Sequence, residues 1–213
     1  MNRRILILGN RTLAEELADM ISEVPGCEVA GFVENLDPTL CEKQLCGLPV
    51  YWLDDIAQFK DTHLCVCGIA TTHRKIYVEQ AQALGMSFTT IIHPTARVSC
   101  DAVLGAGCFI GPLCNVSYKA SLGQQVLVNK GAIIGHHTDI GSFTTVQPGS
   151  TVAGMVNIGS GVYIGIGSTI IDRINIGSNS IVAAGSVVVK DVPDAVQVMG
   201  VPARIVKTGV EGK

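Results

Sequence analysis

Charge and long apolar runs are both scarce in this chain. Charged side chains make up 15% of its 213 residues against 47% hydrophobic. That ratio excludes a disordered or purely solvating role and leaves enough apolar surface for a sizeable core. Fifteen basic and 18 acidic residues give a net charge of −3, which supplies no electrostatic case for nucleic acid or an anionic membrane surface. No stretch of about 18 apolar residues occurs, so no membrane span is expected. The start, Met1-Asn2-Arg3-Arg4 and then Ile5-Leu6-Ile7-Leu8-Gly9, mimics a leader. Its apolar run is short and leads into Asn10-Arg11-Thr12, so it reads as a buried strand of a cytoplasmic protein.

Metal-ligand spacings are missing too. There are eight cysteines, but Cys65-Val66-Cys67 has no second pair at zinc-ligand distance along the chain. Cys27, Cys41, Cys46 and Cys100 are scattered. Reduced thiols and no metal are the expectation.

What the chain does have is a period. An aliphatic residue stands at every sixth position from Val98 to Val188, sixteen in succession: Val98, Leu104, Ile110, Val116, Leu122, Val128, Ile134, Ile140, Val146, Val152, Ile158, Ile164, Ile170, Ile176, Val182 and Val188. Two residues before each anchor sits a small or β-branched residue, Cys108 and Cys114 among them, and glycine often follows the anchor. Six-residue repeats signal a parallel β-helix. Each hexad makes one short strand and one corner, with the anchor inward and the small residue beside it. The glycine after the anchor is expected to supply backbone freedom at the turn. Three hexads close a coil, so Leu104, Leu122, Ile140, Ile158 and Ile176 should stack at roughly 4.8 Å per coil. Such a prism has flat walls and two open ends, so covering domains and oligomerisation are expected.

Residues 1–92 lack the period and alternate strands with helices. Arg4–Leu8 reads as a strand ending at Gly9. Thr12 with Glu15 offers a capping box for a helix reaching Ser22. Glu28–Val33 reads as a strand ending in Glu34. A loop through Asp37-Pro38 and Gly47 follows, and then a short helix around Asp54–Phe59. His63–Ala70 is read as a third strand, Thr72–Leu84 as a helix, and Ser87–Ile92 as a last strand. The alternation implies an α/β, Rossmann-like unit with a small parallel sheet. Its phosphate fingerprint is incomplete, with one glycine in Gly9-Asn10-Arg11-Thr12-Leu13-Ala14 where three are wanted. Ligands of such sheets sit at the carboxyl ends of strands. That rule selects Gly9, Arg11, Thr12, Leu13, Glu34, Asn35 and Gly68 as candidate substrate-binding residues.

The repeat from Val98 to Val188 carries only two histidines, in Ile134-Gly135-His136-His137-Thr138-Asp139. If Ile134 points inward, both fall at the next corner, outside the core. A neutral imidazole there can take a proton from an amine or hydroxyl attacking a thioester. Three histidines across coils, which a metal-dependent hexapeptide hydratase needs, are not present. The short N-terminal part without a glycine-rich signature excludes a nucleotidyltransferase. A non-enzymatic β-helix scaffold is the alternative to an enzyme.

With the repeat, the joint Ile91-Ile92-His93-Pro94-Thr95-Ala96 and the tail Gly200-Val201-Pro202-Ala203-Arg204, the chain resembles the hexapeptide-repeat acyltransferases over nearly its whole length. It looks most like the NeuD-type sugar acyltransferases, relatives of sialic acid O-acetyltransferase and the UDP-4-amino-sugar N-acetyltransferases. The resemblance implies a left-handed β-helix at 93–190 behind a substrate, nucleotide-sugar domain at 1–92, with a capping tail at 191–213. It implies a homotrimer with acetyl-CoA as acyl donor and His136 as the base acting directly on the acceptor. The following residue, usually acidic in the family, is His137 here, and Asp139 is a candidate replacement. Thr145 stands where the family often has a second histidine facing acetyl-CoA. Ile166 and Ala184 match coenzyme-groove positions, and Lys190, Arg204 or Lys207 could meet the coenzyme phosphates. The family's Ser-Gly-His-Gly loop has as its counterpart Asn10-Arg11-Thr12-Leu13, which does not match it.

Overall fold

The computed structural model describes residues 2–213 and divides into two compact units. The first holds residues up to Ala70 together with Arg74–Pro94, and the second holds Thr71–His73 with Thr95–Lys213.

In the first unit, β1 (Arg3–Leu8), β2 (Cys27–Glu34), β3 (Gln44–Leu45), β4 (Leu48–Trp52) and β5 (His63–Cys67) form one sheet in the order β3-β4-β2-β1-β5. All its pairings are parallel except the β3–β4 hairpin. Helices α1 (Thr12–Ser22) and α2 (Lys75–Ala83) link the strands. Ile5, Leu6, Ile7 and Leu8 are all enclosed, as a central parallel strand covered on both faces requires. Helix α1 buries Ala14, Leu17, Ala18, Met20 and Ile21.

Several local expectations change. The helix begins one residue early. Arg11 is the N-cap, and its carbonyl accepts from Ala14 N (2.7 Å) and Glu15 N (3.2 Å). Thr12 is therefore already helical, and the Thr12–Glu15 capping box does not form. Strand β5 stops at Cys67, because Gly68 packs onto α1: a Cβ there would lie 2.8 Å from Ile7 Cγ2 and 3.0 Å from Ala14 Cα. The helix expected from Thr72 starts with a 3₁₀ turn and becomes α-helical only at Lys75. The strand expected over Ser87–Ile92 is reduced to a bridge from Phe88 to Cys65 and a two-residue strand at Ile91–Ile92. The Asp37-Pro38 loop holds a 3₁₀ turn over Pro38–Glu42, capped by Asp37 through Thr39 N.

The second unit is the prism. Two-residue strands stack in three parallel ladders, and every step between coils is eighteen residues, as in Leu104↔Leu122↔Ile140↔Ile158↔Ile176. The first face runs from Arg97–Val98 to Val187–Val188 and the second from Val103–Leu104 to Asn175–Ile176. The third runs from Phe109–Ile110 to Ile181–Val182, then continues into the hairpin Val196–Gly200 and Ala203–Thr208. The inward anchors from Ile110 to Val188 are at most 4% exposed.

The small slots have a specific task. Hydroxyls there donate to a turn carbonyl fifteen residues on: Thr138 to Ala153 (2.9 Å), Thr144 to Gly159 (2.9 Å), Ser150 to Gly165 (2.8 Å). Cys108 and Cys114 do the same with Gly123 and Asn129. The slot thus satisfies a buried carbonyl as well as filling space.

The glycine after the anchor serves close approach, not torsional freedom. A Cβ on Gly105 would lie 2.5 Å from Gln124 N, and one on Gly123 2.7 Å from Ser142 N. The left-handed corner residue comes two positions later, as at Gly131 (φ 66°) and, without glycine, at His137 (φ 54°).

Candidate functional site

His136 and His137 sit where the first face turns into the second. Ile134 is fully buried, and both imidazoles are exposed. Backbone bonds fix the corner between coils: His137 N donates to Tyr118 O (3.0 Å), and Met155 N donates to His136 O (2.8 Å). The left-handed torsion at His137 turns its ring back toward its neighbour. The two Nδ1 atoms lie 3.1 Å apart with the rings nearly perpendicular at 86°.

One nitrogen of that pair must carry the proton and the other accept it. If His136 donates from Nδ1, its Nε2 keeps a lone pair and can act as a base. His137 then accepts at Nδ1 and holds its own proton on Nε2. Asp139 projects from the second face, where it shares a shallow groove with Asn157 and Asn175, and His136 has His137 as its partner instead.

Two further residues shape the corner, and sequence reasoning missed both. Tyr118, one coil before His136, meets the His137 ring edge-on at 5.6 Å and 75°. Gly154, one coil after, lies under His136: a Cβ there would stand 2.6 Å from His136 Nε2. Their signal was in the eighteen-residue spacing, since 118, 136 and 154 occupy one corner column.

The other candidates fall into separate groups. Ile166 and Ala184 share a groove of 340 Å³ at the corner between the third and first faces. Lys190 stands on the His136 corner column, three coils further on, and shares a second groove with Arg204 and Asp191. Lys207 pairs with Gln197 in the closing hairpin. Thr145 has no exposed surface, so it offers no atom to a ligand at the prism wall. One chain therefore does not bring the Ile166–Ala184 groove and His136 to the same corner.

In the first unit, adjacent strand ends do gather Gly9, Arg11, Thr12, Leu13, Glu34, Asn35 and Gly68. Gly9 N bonds Val33 O and Gly68 N bonds Leu8 O, both at 2.8 Å. Glu34, however, is only 4% exposed, and its Oε1 accepts from the amides of Asn35 (2.9 Å), Leu36 (2.6 Å) and Asp37 (3.3 Å). That carboxylate organises its own loop. Asn35 Nδ2 donates to Gln80 Oε1 (3.1 Å), and Arg11 is exposed beside the α1 amides.

Burial holds the paired thiols of β5 protonated, pushing Cys65 up to about 12 and Cys67 to about 11. They are accordingly poor nucleophiles and poor ligands.

A hexapeptide prism with an exposed imidazole pair at one corner is the architecture that the resemblance to the hexapeptide-repeat acyltransferases implies. Solved structures similar to this chain are sugar N-acetyltransferases of that type. PerB from Caulobacter crescentus, in complex with CoA and GDP-perosamine, is 29% identical, with a TM-score of 0.87 over 95% of this chain and 97% of PerB. That enzyme, a perosamine N-acetyltransferase, has also been solved with one histidine replaced by asparagine or by alanine. The acetyltransferase domain of PglB from Neisseria gonorrhoeae FA1090, in complex with acetyl coenzyme A, is 25% identical, with a TM-score of 0.88 over 97% of this chain and all of that domain. WeeI from Acinetobacter baumannii AYE is 25% identical, with a TM-score of 0.88 over 96% of this chain and 100% of its own. No family model and no curated protein sequence matches the chain. The matched folds fit a left-handed β-helix.

Proposed function

We propose that this protein is an acetyl-CoA-dependent sugar N-acetyltransferase that acylates the amine of a nucleotide-activated sugar. The observation that carries the reading is the imidazole pair: His136 is exposed, its Nδ1 is engaged by His137 at 3.1 Å, and its Nε2 lies over Gly154, where the missing Cβ leaves it room. The likeness to PerB with CoA and GDP-perosamine supports the substrate classes.

The chemistry follows from that geometry. The acceptor amine attacks the thioester carbonyl while Nε2 of His136 takes one of its protons. The new imidazolium keeps its Nδ1 hydrogen bond to His137. Collapse of the tetrahedral intermediate breaks the C–S bond, and His136 returns the proton to the departing thiolate. No acyl-enzyme forms, because both substrates are held together.

The donor groove is assigned to Ile166 and Ala184, with Lys190 and Arg204 as cations for the coenzyme's phosphates. Because that groove and His136 occupy different corners of one prism, the complete site is assigned to two neighbouring copies in a homotrimer. Residues 1–92 are read as a Rossmann-like acceptor domain. There the strand ends at Gly9 and Gly68, with Arg11, Thr12, Leu13 and Asn35, hold the nucleotide-sugar head, and Glu34 shapes the loop between them. Residues 93–190 are the transferase prism, and 191–213 its closing tail. No metal is assigned a role, and the site of action is read as the cytoplasm.

Free-thiol release from acetyl-CoA, screened against GDP- and UDP-linked 4-amino sugars and against sialic acid, tests this. Turnover with an amino sugar is expected. Release with sialic acid alone would reassign the enzyme to O-acylation, and no turnover with any acceptor would overturn the reading.

A further inference from the structure

The Ile166–Ala184 groove contains a cation that sequence reasoning did not single out. Its lining includes Tyr163, Ile181, Ala183, Gln197 and Lys213, with no acidic side chain among the described residues that line it. Lys213 Nζ lies 4.5 Å from the centre of the Tyr163 ring and 3.4 Å from its hydroxyl. An ammonium over an aromatic face is favourably placed, but neither Tyr163 contact neutralises its charge.

The backbone of this lysine is clasped. Lys213 N donates to Thr72 Oγ1 (2.9 Å), while Lys213 O accepts from Thr72 N (2.6 Å) and Thr72 Oγ1 (3.1 Å). Gly212 N donates to Asn179 O (2.8 Å), and Val210 N to Ala195 O (3.0 Å). Gly212 has φ 74°, and a Cβ there would meet Thr72 Oγ1 and would lie 2.7 Å from Gly161 O. Only glycine passes through that gap. Holding a long, charged side chain at one place costs rotamer entropy, and here the lysine's own N–H and carbonyl oxygen and the backbone leading to it are already held.

We propose that Lys213 binds a phosphate of the acyl donor. This rests on the reading that the Ile166–Ala184 groove holds the coenzyme, and it names the charged contact on that groove's far wall. A phosphate oxygen accepts from the ammonium, which remains over Tyr163, and Thr72 acts as a positioning residue through the clasp.

Titration calorimetry of CoA and 3′-dephospho-CoA with the full chain and its Lys213 variants tests the proposal. Lys213→Met leaves the backbone clasp intact and is expected to weaken CoA binding roughly tenfold, the range of one partly exposed charge-assisted hydrogen bond. Lys213→Glu should weaken it further, and Lys213→Arg should retain most of the affinity. If the Met penalty disappears with 3′-dephospho-CoA, the contact is the 3′-phosphate; if it persists, the contact is the diphosphate. Thr72→Val should give a smaller loss in the same direction. Equal affinity across the lysine variants, or equal loss in Met and Arg, would overturn the proposal while leaving the donor groove in place. A chain that binds no CoA at all would overturn both. CoA binding with no turnover of any acceptor would instead sink the acceptor reading.

Discussion

At the scale of single residues, the proposed chemistry falls on the corner column through Tyr118, His136 and Gly154. His136→Ala should lower turnover by roughly 10²–10⁴-fold, the usual worth of a positioned general base, with CoA affinity kept. His137→Ala should cost less, because it removes the group that orients the base and not the base itself. His137→Asp replaces a neutral acceptor with a charged one, which stabilises the imidazolium of His136. The acid limb of its kcat/KM profile should therefore move to higher pH, and an unmoved limb would show that His137 is not the Nδ1 partner. Tyr118 acts through His137: Tyr118→Phe keeps the edge contact and should be close to full activity, whereas Tyr118→Ala should lower kcat with little change in KM. Equal loss in the two variants would assign the hydroxyl, not the ring, as the working part.

At the scale of the element, the corners use glycine in two ways that stability measurements can separate. Gly105 faces the next coil's backbone at a distance no Cβ tolerates. Gly131 has open space around its missing Cβ and needs only a left-handed torsion (φ 66°). Gly131→Ala should therefore cost about 1 kcal/mol. Gly105→Ala should cost more, on the order of 3 kcal/mol, because a coil must shift. Urea midpoints compare the two, and the reverse order would show that corner torsion outweighs coil spacing. The buried slot hydroxyls give a third case. Thr144→Val keeps the shape but loses the bonds to Gly159 O and Val162 N, leaving buried groups unpaired at about 1–3 kcal/mol.

At the scale of the whole molecule, the assigned donor groove and the assigned base lie on different corners of one prism. Light scattering of the full chain should report about three times 22.4 kDa. A stable monomer with full turnover would require both functions at one corner and would refute the assignment. Mixing His136→Ala chains with chains altered at Ile166 should restore part of the activity, since some mixed interfaces would carry both intact halves.

The six-residue period by itself determined the coil, its eighteen-residue stacking and the inward set of anchors. Those follow from local rules: which side chains fit a narrow interior, and how many residues make a side. The same count placed His136 and His137 at a corner. What the local pattern lacked was any term for partners distant in sequence. Thr12 reads as a cap, yet the N-cap is Arg11 and Thr12 is already helical. Glu34 reads as a ligand contact, yet three amides of its own loop engage its carboxylate. Thr145 stands at a position that faces acetyl-CoA in the resembling family, yet it has no exposed surface. The pairing of His136 with His137, the ring of Tyr118 against His137, and the clasp between Thr72 and Lys213 across 141 residues were decided only by the tertiary structure. A hydrogen bond or ring contact depends on torsions and distances, and a list of residues fixes those only after the coils have closed.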